Sequence, residues 1–287
     1  MAPTSRVYLT RHSQAEHNVA DDYSIPDAPL TPLGKQQSGR LPSLTPELQQ
    51  TAQVILSSGL KRTLQSTKIG YAPAIERLGG LGKVVLLPQL QECNDFPCDT
   101  GSAREVLEAD PELAGFDFSP LTPDWTSKRG FYAADDASLN ARAQWVRQYI
   151  RDRPEQEIVV MAHGDILRRI TGQQYPWKNA EVRLFQFDPA TVSTEQAPLV
   201  HVRDIATGGS VEPTSGDIAN QKGVPNAGAN GNGNAAAPSE SLAAIEERVK
   251  ERQSAVQSKA NELEELERRL ADAEKRKAEL EAKGIKI

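Results

Sequence analysis

The sequence predicts an α/β fold: a three-layer sandwich with a mostly parallel central sheet flanked by helices, plus a separate long helix toward the carboxyl end. Three observations carry this. Between residues 6 and 206, short runs rich in Val, Ile and Leu alternate with longer stretches of helical character. The runs are nearly continuous in apolar residues, as strands covered on both faces are. Beyond residue 206 the composition changes twice, first to Gly, Asn, Ala, Ser and Pro, then to a charged heptad pattern.

In chain order, the first strand is Val7 to Thr10. A helix follows over Pro32 to Leu41, with a proline pre-set for its first turn. Strands are expected at Gln53 to Ser57 and Val84 to Leu87. The spacing of Leu139, Ala143, Val146 and Ile150 along one side predicts an amphipathic helix over Ser138 to Arg151. Two further strands, Ile158 to Ala162 and Val182 to Phe187, complete a domain spanning 1–206. Residues 207–239 are too poor in large apolar side chains to bury a core and read as a disordered linker. Over 240–283, Leu242, Ile245, Val249, Val256, Leu263, Leu266, Leu270, Ala273 and Leu280 form a seam at alternating three- and four-residue steps. Arg252, Lys259 and Lys277 interrupt it. A coiled-coil helix is expected there, pairing with a second copy or with a partner protein.

The chain has 287 residues and a formal charge of −6. That balance offers no footprint for a phosphate backbone or an anionic membrane surface, so neither nucleic acid nor membrane is expected as a partner. No basic region followed by a long apolar segment precedes Val7, and no run of eighteen apolar residues occurs. Cys93 and Cys98 are too few for a disulfide framework or a zinc site. A cytoplasmic protein is the expectation.

Three strands share one design, an apolar run that stops where polar residues able to hold a phosphate begin. Val7 to Thr10 leads into Arg11 and His12, Val54 to Ser57 into Lys61 and Arg62, and Ile158 to Ala162 into His163 and Gly164. Open α/β sheets bind ligands beyond the carboxyl ends of their strands. If these strands are parallel neighbours, two imidazoles and two guanidiniums converge. Guanidinium forks match phosphate oxygens and neutralise the charge that would repel a nucleophile. A neutral imidazole with one nitrogen free can then attack, provided the other nitrogen donates to a fixed acceptor.

The segment Thr10-Arg11-His12-Ser13-Gln14-Ala15-Glu16-His17-Asn18 resembles the signature of the histidine phosphatase superfamily, the phosphoglycerate mutase-like proteins. Pro29-Leu30-Thr31-Pro32-Leu33-Gly34-Lys35-Gln36-Gln37, Ser57 through Thr67 around Arg62, Leu90-Gln91-Glu92 and Ala162-His163-Gly164 resemble its other motifs, in family order. The resemblance covers residues 6 to 172 well. It implies the phosphoglycerate mutase-like sandwich and a phosphomonoesterase that forms a phosphohistidine on His12. Arg11, Asn18, Arg62 and His163 would bind the phosphate of a small phosphorylated substrate, without metal or cofactor. It implies Glu92 as general acid and base, a role favoured by partial burial, with Asp95 and Asp99 as alternatives. Departures are Ser13, where the family usually has Gly, and Gln14, where Glu is common. Two rival readings are a phosphoglycerate mutase-type phosphotransferase and a catalytically weak binding protein assembled through its coiled coil. His17 and His201 read as structural, Trp125, Phe131, Tyr132, Trp145 and Trp177 as packing, and Lys128 with Arg129 as a solvated charge pair.

Overall fold

The structure is a computed structural model that describes residues 4–206. The expected linker, 207–239, and coiled-coil helix, 240–283, lie outside the described residues. Six strands form one sheet: β1 (Arg6–Arg11), β2 (Val54–Ser57), β3 (Val85–Leu86), β4 (Glu157–Ala162), β5 (Val182–Phe187) and β6 (Leu199–Ala206). Among the described residues eight α-helices accompany them: α1 (Glu16–Ala20), α2 (Pro32–Leu44), α3 (Pro46–Thr51), α4 (Lys61–Gly70), α5 (Ala72–Leu78), α6 (Arg104–Glu108), α7 (Asp136–Arg151) and α8 (Gly164–Thr171).

The strand order is β3-β2-β4-β1-β5-β6. β4 lies between β1 and β2 and runs parallel to both, β2 and β3 are also parallel, and β5 and β6 add antiparallel at the other side. The sheet is therefore mixed, with the expected parallel pairings at its centre and antiparallel ones at the β5–β6 side. β6 had no counterpart in the sequence pattern. Only Leu199 of its eight residues is buried and Val200 and Val202 are exposed, so the strand carries little of the apolar periodicity that marks a core strand. The third strand is shorter than its apolar run, because Pro88 opens a 3₁₀ turn directly after Leu87.

Side-chain alternation divides the core between the two faces. Val7, Leu9, Ile158 and Val160 pack with Leu139, Val146 and Ile150 of α7 and with Ile166 of α8. Tyr8, Ile55, Val159 and Met161 pack on the opposite face with Leu41 of α2, Leu64 of α4 and Ile75 of α5. Trp125 and Trp177 are each 1% exposed and belong to these cores, on opposite faces of the sheet. No helix among the described residues is long and apolar enough to cross a membrane.

Candidate active site

Register places the site. Arg11 pairs with Ala162 and Ser57 with Met161, so the next residues on three adjacent strands, His12, His163 and Ser58, leave the sheet together at its carboxyl edge. His12 N–H extends the ladder to Ala162 O at 3.0 Å, and Ser58 N–H to Met161 O at 3.0 Å. The two imidazoles stand 5.1 Å apart by ring centroids.

His12 Nδ1 lies 2.7 Å from the backbone carbonyl of Ser13, an acceptor only, so the proton is on Nδ1 and Nε2 carries the lone pair. Arg62, on the first turn of α4, donates from Nε toward His12 Nε2 at 3.2 Å and His163 Nδ1 at 3.1 Å. His163 Nδ1 is thus an acceptor, and its Nε2–H donates to Ser58 Oγ at 2.9 Å. Arg62 is almost wholly buried and is held by the Cys98 carbonyl and by Asp99 Oδ1 at 2.9 Å. Arg11 donates to the Trp177 carbonyl. Burial, with Arg62 and then Arg11 beside it, holds His12 well below the usual imidazole range; burial and Arg62 do the same to His163.

Two residues read otherwise in the sequence sit here. His17, expected to be structural only, lies 6.0 Å from the His12 ring, and burial with Arg62 and Arg11 lowers it to about 2. Asn18 Oδ1 accepts from Ala15 N at 3.0 Å, which turns its amide nitrogen toward His17 Nε2 at 3.0 Å. Lys128, expected to be solvated, is half-buried and donates to the Glu92 carbonyl at 3.4 Å. Its partner Arg129 is exposed.

Ser13 does not crowd the imidazoles with its hydroxyl. Its Oγ pairs with Ser38 Oγ of α2 at 2.6 Å, both fully buried. The Pro-Leu-Thr-x-x-Gly-x-x-Gln segment acts on the same loop. Thr31 Oγ1 donates to Gln14 Oε1 at 2.8 Å, Gln37 Oε1 accepts from Gln14 N at 2.9 Å, and a Cβ on Gly34 would fall 1.9 Å from Gln14 O. The motif is a clamp on the residues that follow the histidine.

Glu92, 9% exposed, docks on the amino end of α8. Its Oε1 accepts from Ile166 N and Cys93 N, each at 2.9 Å, and its Oε2 from Asp165 N at 3.2 Å. Asp95 is exposed, whereas Asp99 is engaged by Arg62 and, at Oδ2, by Asn94. Burial pushes the Asp99 carboxyl up, against the pull of Arg62. Asp27, buried with φ 41°, ties its own loop to the start of α4 and to the loop of Ser102: it accepts from Lys61 N at 2.9 Å, Ser102 N at 2.9 Å and Ser102 Oγ at 2.7 Å. Nothing in the sequence singles out Ser58 or Asp27, because their partners are distant in the chain.

A mixed-sheet sandwich that gathers two neutral imidazoles and two guanidiniums at its carboxyl edge is the architecture of an anion-handling α/β enzyme. The chain belongs to the histidine phosphatase superfamily (branch 1), whose sequence profile matches residues 7–196. It is 28% identical over 174 residues to a protein of Schizosaccharomyces pombe named a probable phosphatase, covering 59% of this chain and 79% of that one. Among solved structures, it is similar to a mycobacterial glucosyl-3-phosphoglycerate phosphatase, at 18% identity and a TM-score of 0.44, over 71% of this chain and 99% of that one. A phosphoserine phosphatase of Entamoeba histolytica, in complex with 3-phosphoglyceric acid, matches at 19% identity and a TM-score of 0.42, over 71% of this chain and 98% of that one.

Proposed function

We propose that this chain is a metal-independent phosphomonoesterase working through a phosphohistidine on His12. The observation that carries the reading is the fixed tautomer of His12, whose Nδ1–H is committed to the Ser13 carbonyl while Nε2 is unprotonated, its lone pair met by the Nε–H of Arg62, the cation that would also hold an incoming phosphate. Arg11 and Arg62 hold the phosphate, His163 joins them by turning its one N–H from Ser58 to a phosphate oxygen, and Asn18 acts through the His17 ring it orients. Nε2 attacks phosphorus, the ester P–O bond breaks, and Glu92 gives its proton to the departing alkoxide. Water then gives a proton back to Glu92 and attacks phosphorus. The P–N bond breaks, inorganic phosphate leaves, and His12 is regenerated. Oε2 suits the proton's departure, since it has one long hydrogen bond where Oε1 has two shorter ones.

The test is hydrolysis of p-nitrophenyl phosphate without added metal, with a rapid quench to capture an acid-labile phosphate by intact mass. The expected result is turnover and an adduct of one phosphate, both lost in His12→Ala. Turnover in that variant at the wild-type rate ends the assignment of His12.

A further inference from the structure

Two cations converge on one neutral oxygen. Lys128 Nζ, 3.4 Å away, and Arg142 Nη2, 3.1 Å away, both donate to the backbone carbonyl of Glu92. Arg142, on α7, has no exposed surface, and its Nε and Nη1 are buried without hydrogen-bond partners. Lys128 is a non-glycine residue with φ 51°, directly after the turn and bend over residues 123–127, and its amine reaches back to Glu92. Like charges brought together out of water require a counter-charge.

The neighbouring acids do not supply enough. The charged groups that act on Lys128 are Arg142 and Arg62 on one side, Asp99 and Glu92 on the other. Asp99 is already paired with Arg62, and Glu92 has both carboxylate oxygens on backbone amides near α8. Cys93, the nearest thiol to Arg142, is held neutral by burial. An excess of positive charge remains, and it grows when Glu92 carries the proton of a general acid. The lysine feels this excess: burial and Arg142 lower it to about 8.

We propose that Lys128 forms a second anion-binding subsite beside Glu92, taking a carboxylate or second phosphate carried on the leaving-group side of the substrate. Arg142, buried behind the lysine, is a positioning residue that fixes the Glu92 carbonyl and keeps the place positive. The inference rests on the phosphatase reading, because Glu92 marks the leaving-group side only if it serves as the acid. It narrows the substrate class to phosphomonoesters with another acidic group.

The experiment compares kcat/KM of the full chain for ω-phosphooxy alkanoates of two to five carbons, and for alkanediol bisphosphates, with n-alkyl phosphates of equal length. At least one acidic substrate is expected to be preferred by about tenfold or more, the range of a charge-assisted hydrogen bond. That preference ratio should fall toward one in Lys128→Met and return in Lys128→Arg. A general folding defect scales both substrates and leaves the ratio alone. Which series is preferred decides between carboxylate and phosphate. Hydrolysis with no acidic preference, or a preference that survives in Lys128→Met, overturns the subsite and leaves the phosphatase reading standing. No hydrolysis of any phosphomonoester overturns both.

Discussion

His12, His17 and His163 are buried beside arginines, and in each the folded-state pKa lies below the ordinary 6.5. The unfolded chain therefore binds more protons than the folded one once pH drops below about 6.5. Stability should be level above pH 7 and fall between pH 6.5 and 5, by up to about 1.4 kcal/mol per pH unit for each imidazole. Asp27 and Asp99, pushed upward by burial, act in the opposite sense, so the cleanest measurement is a difference. Urea unfolding of His17→Phe at pH 7, 6 and 5 should show a shallower decline than wild type by one imidazole's share. An equal decline would place the His17 titration outside folding. The three candidate acids separate at the same scale. Glu92→Gln should lower kcat/KM for an alkyl phosphate by about 10²–10⁴ and for p-nitrophenyl phosphate by much less, because nitrophenolate leaves without a proton. Asp95→Ala, at an exposed position, should change neither. Asp99→Ala leaves Arg62 buried and unpaired, and should cost about 3–5 kcal/mol of stability in chemical denaturation.

Elements explain which residues were legible before the structure. Arg11, His12, Arg62 and His163 each follow an apolar strand within a few residues, so a strand-end pattern alone predicts their convergence, and β4 lying between β1 and β2 fulfils it. Lys128 and His17 gave no such signal. Their burial depends on long-range packing that local polarity does not encode, and Lys128 reaches Glu92 across 36 residues. The role of Ser13 was also hidden, since Ser38 lies on another element. The clamp on the loop after His12 was visible as a motif, but its mechanical purpose was not. Its hinge is Gly34 on α2, where any side chain meets the backbone of Gln14. Gly34→Ala should lower the melting temperature and kcat together, whereas Gly39→Ala on the same helix, with nothing within 4 Å, should be neutral or slightly stabilising. Equal effects at both positions would reject the clamp.

For the molecule as a whole, every residue assigned to the candidate site lies between Arg11 and His163, and the matched family region ends at 196. The heptad pattern over 240–283 lies beyond the matched region, and the prediction for it concerns assembly. The full chain should show concentration-dependent dimer mass by light scattering. A chain ending at Ala206 should be monomeric and keep kcat/KM for p-nitrophenyl phosphate. An unchanged mass would dismiss the zipper, and lost activity would show that the tail supports the catalytic unit.

The position of β4 also bears on how the protein is made. β1 and β2 are both made before β4, yet they never touch, because β4, which ends at Ala162, lies between them. Until then a nascent chain holds two apolar strands with unpaired edges, the state most open to wrong pairing with other chains. His163 follows that strand at once, so joining β1 to β2 and completing the imidazole pair are one event, which waits until residue 163 has been made. A chain stalled before residue 157 should be a client for chaperones and incapable of turnover, however long it waits.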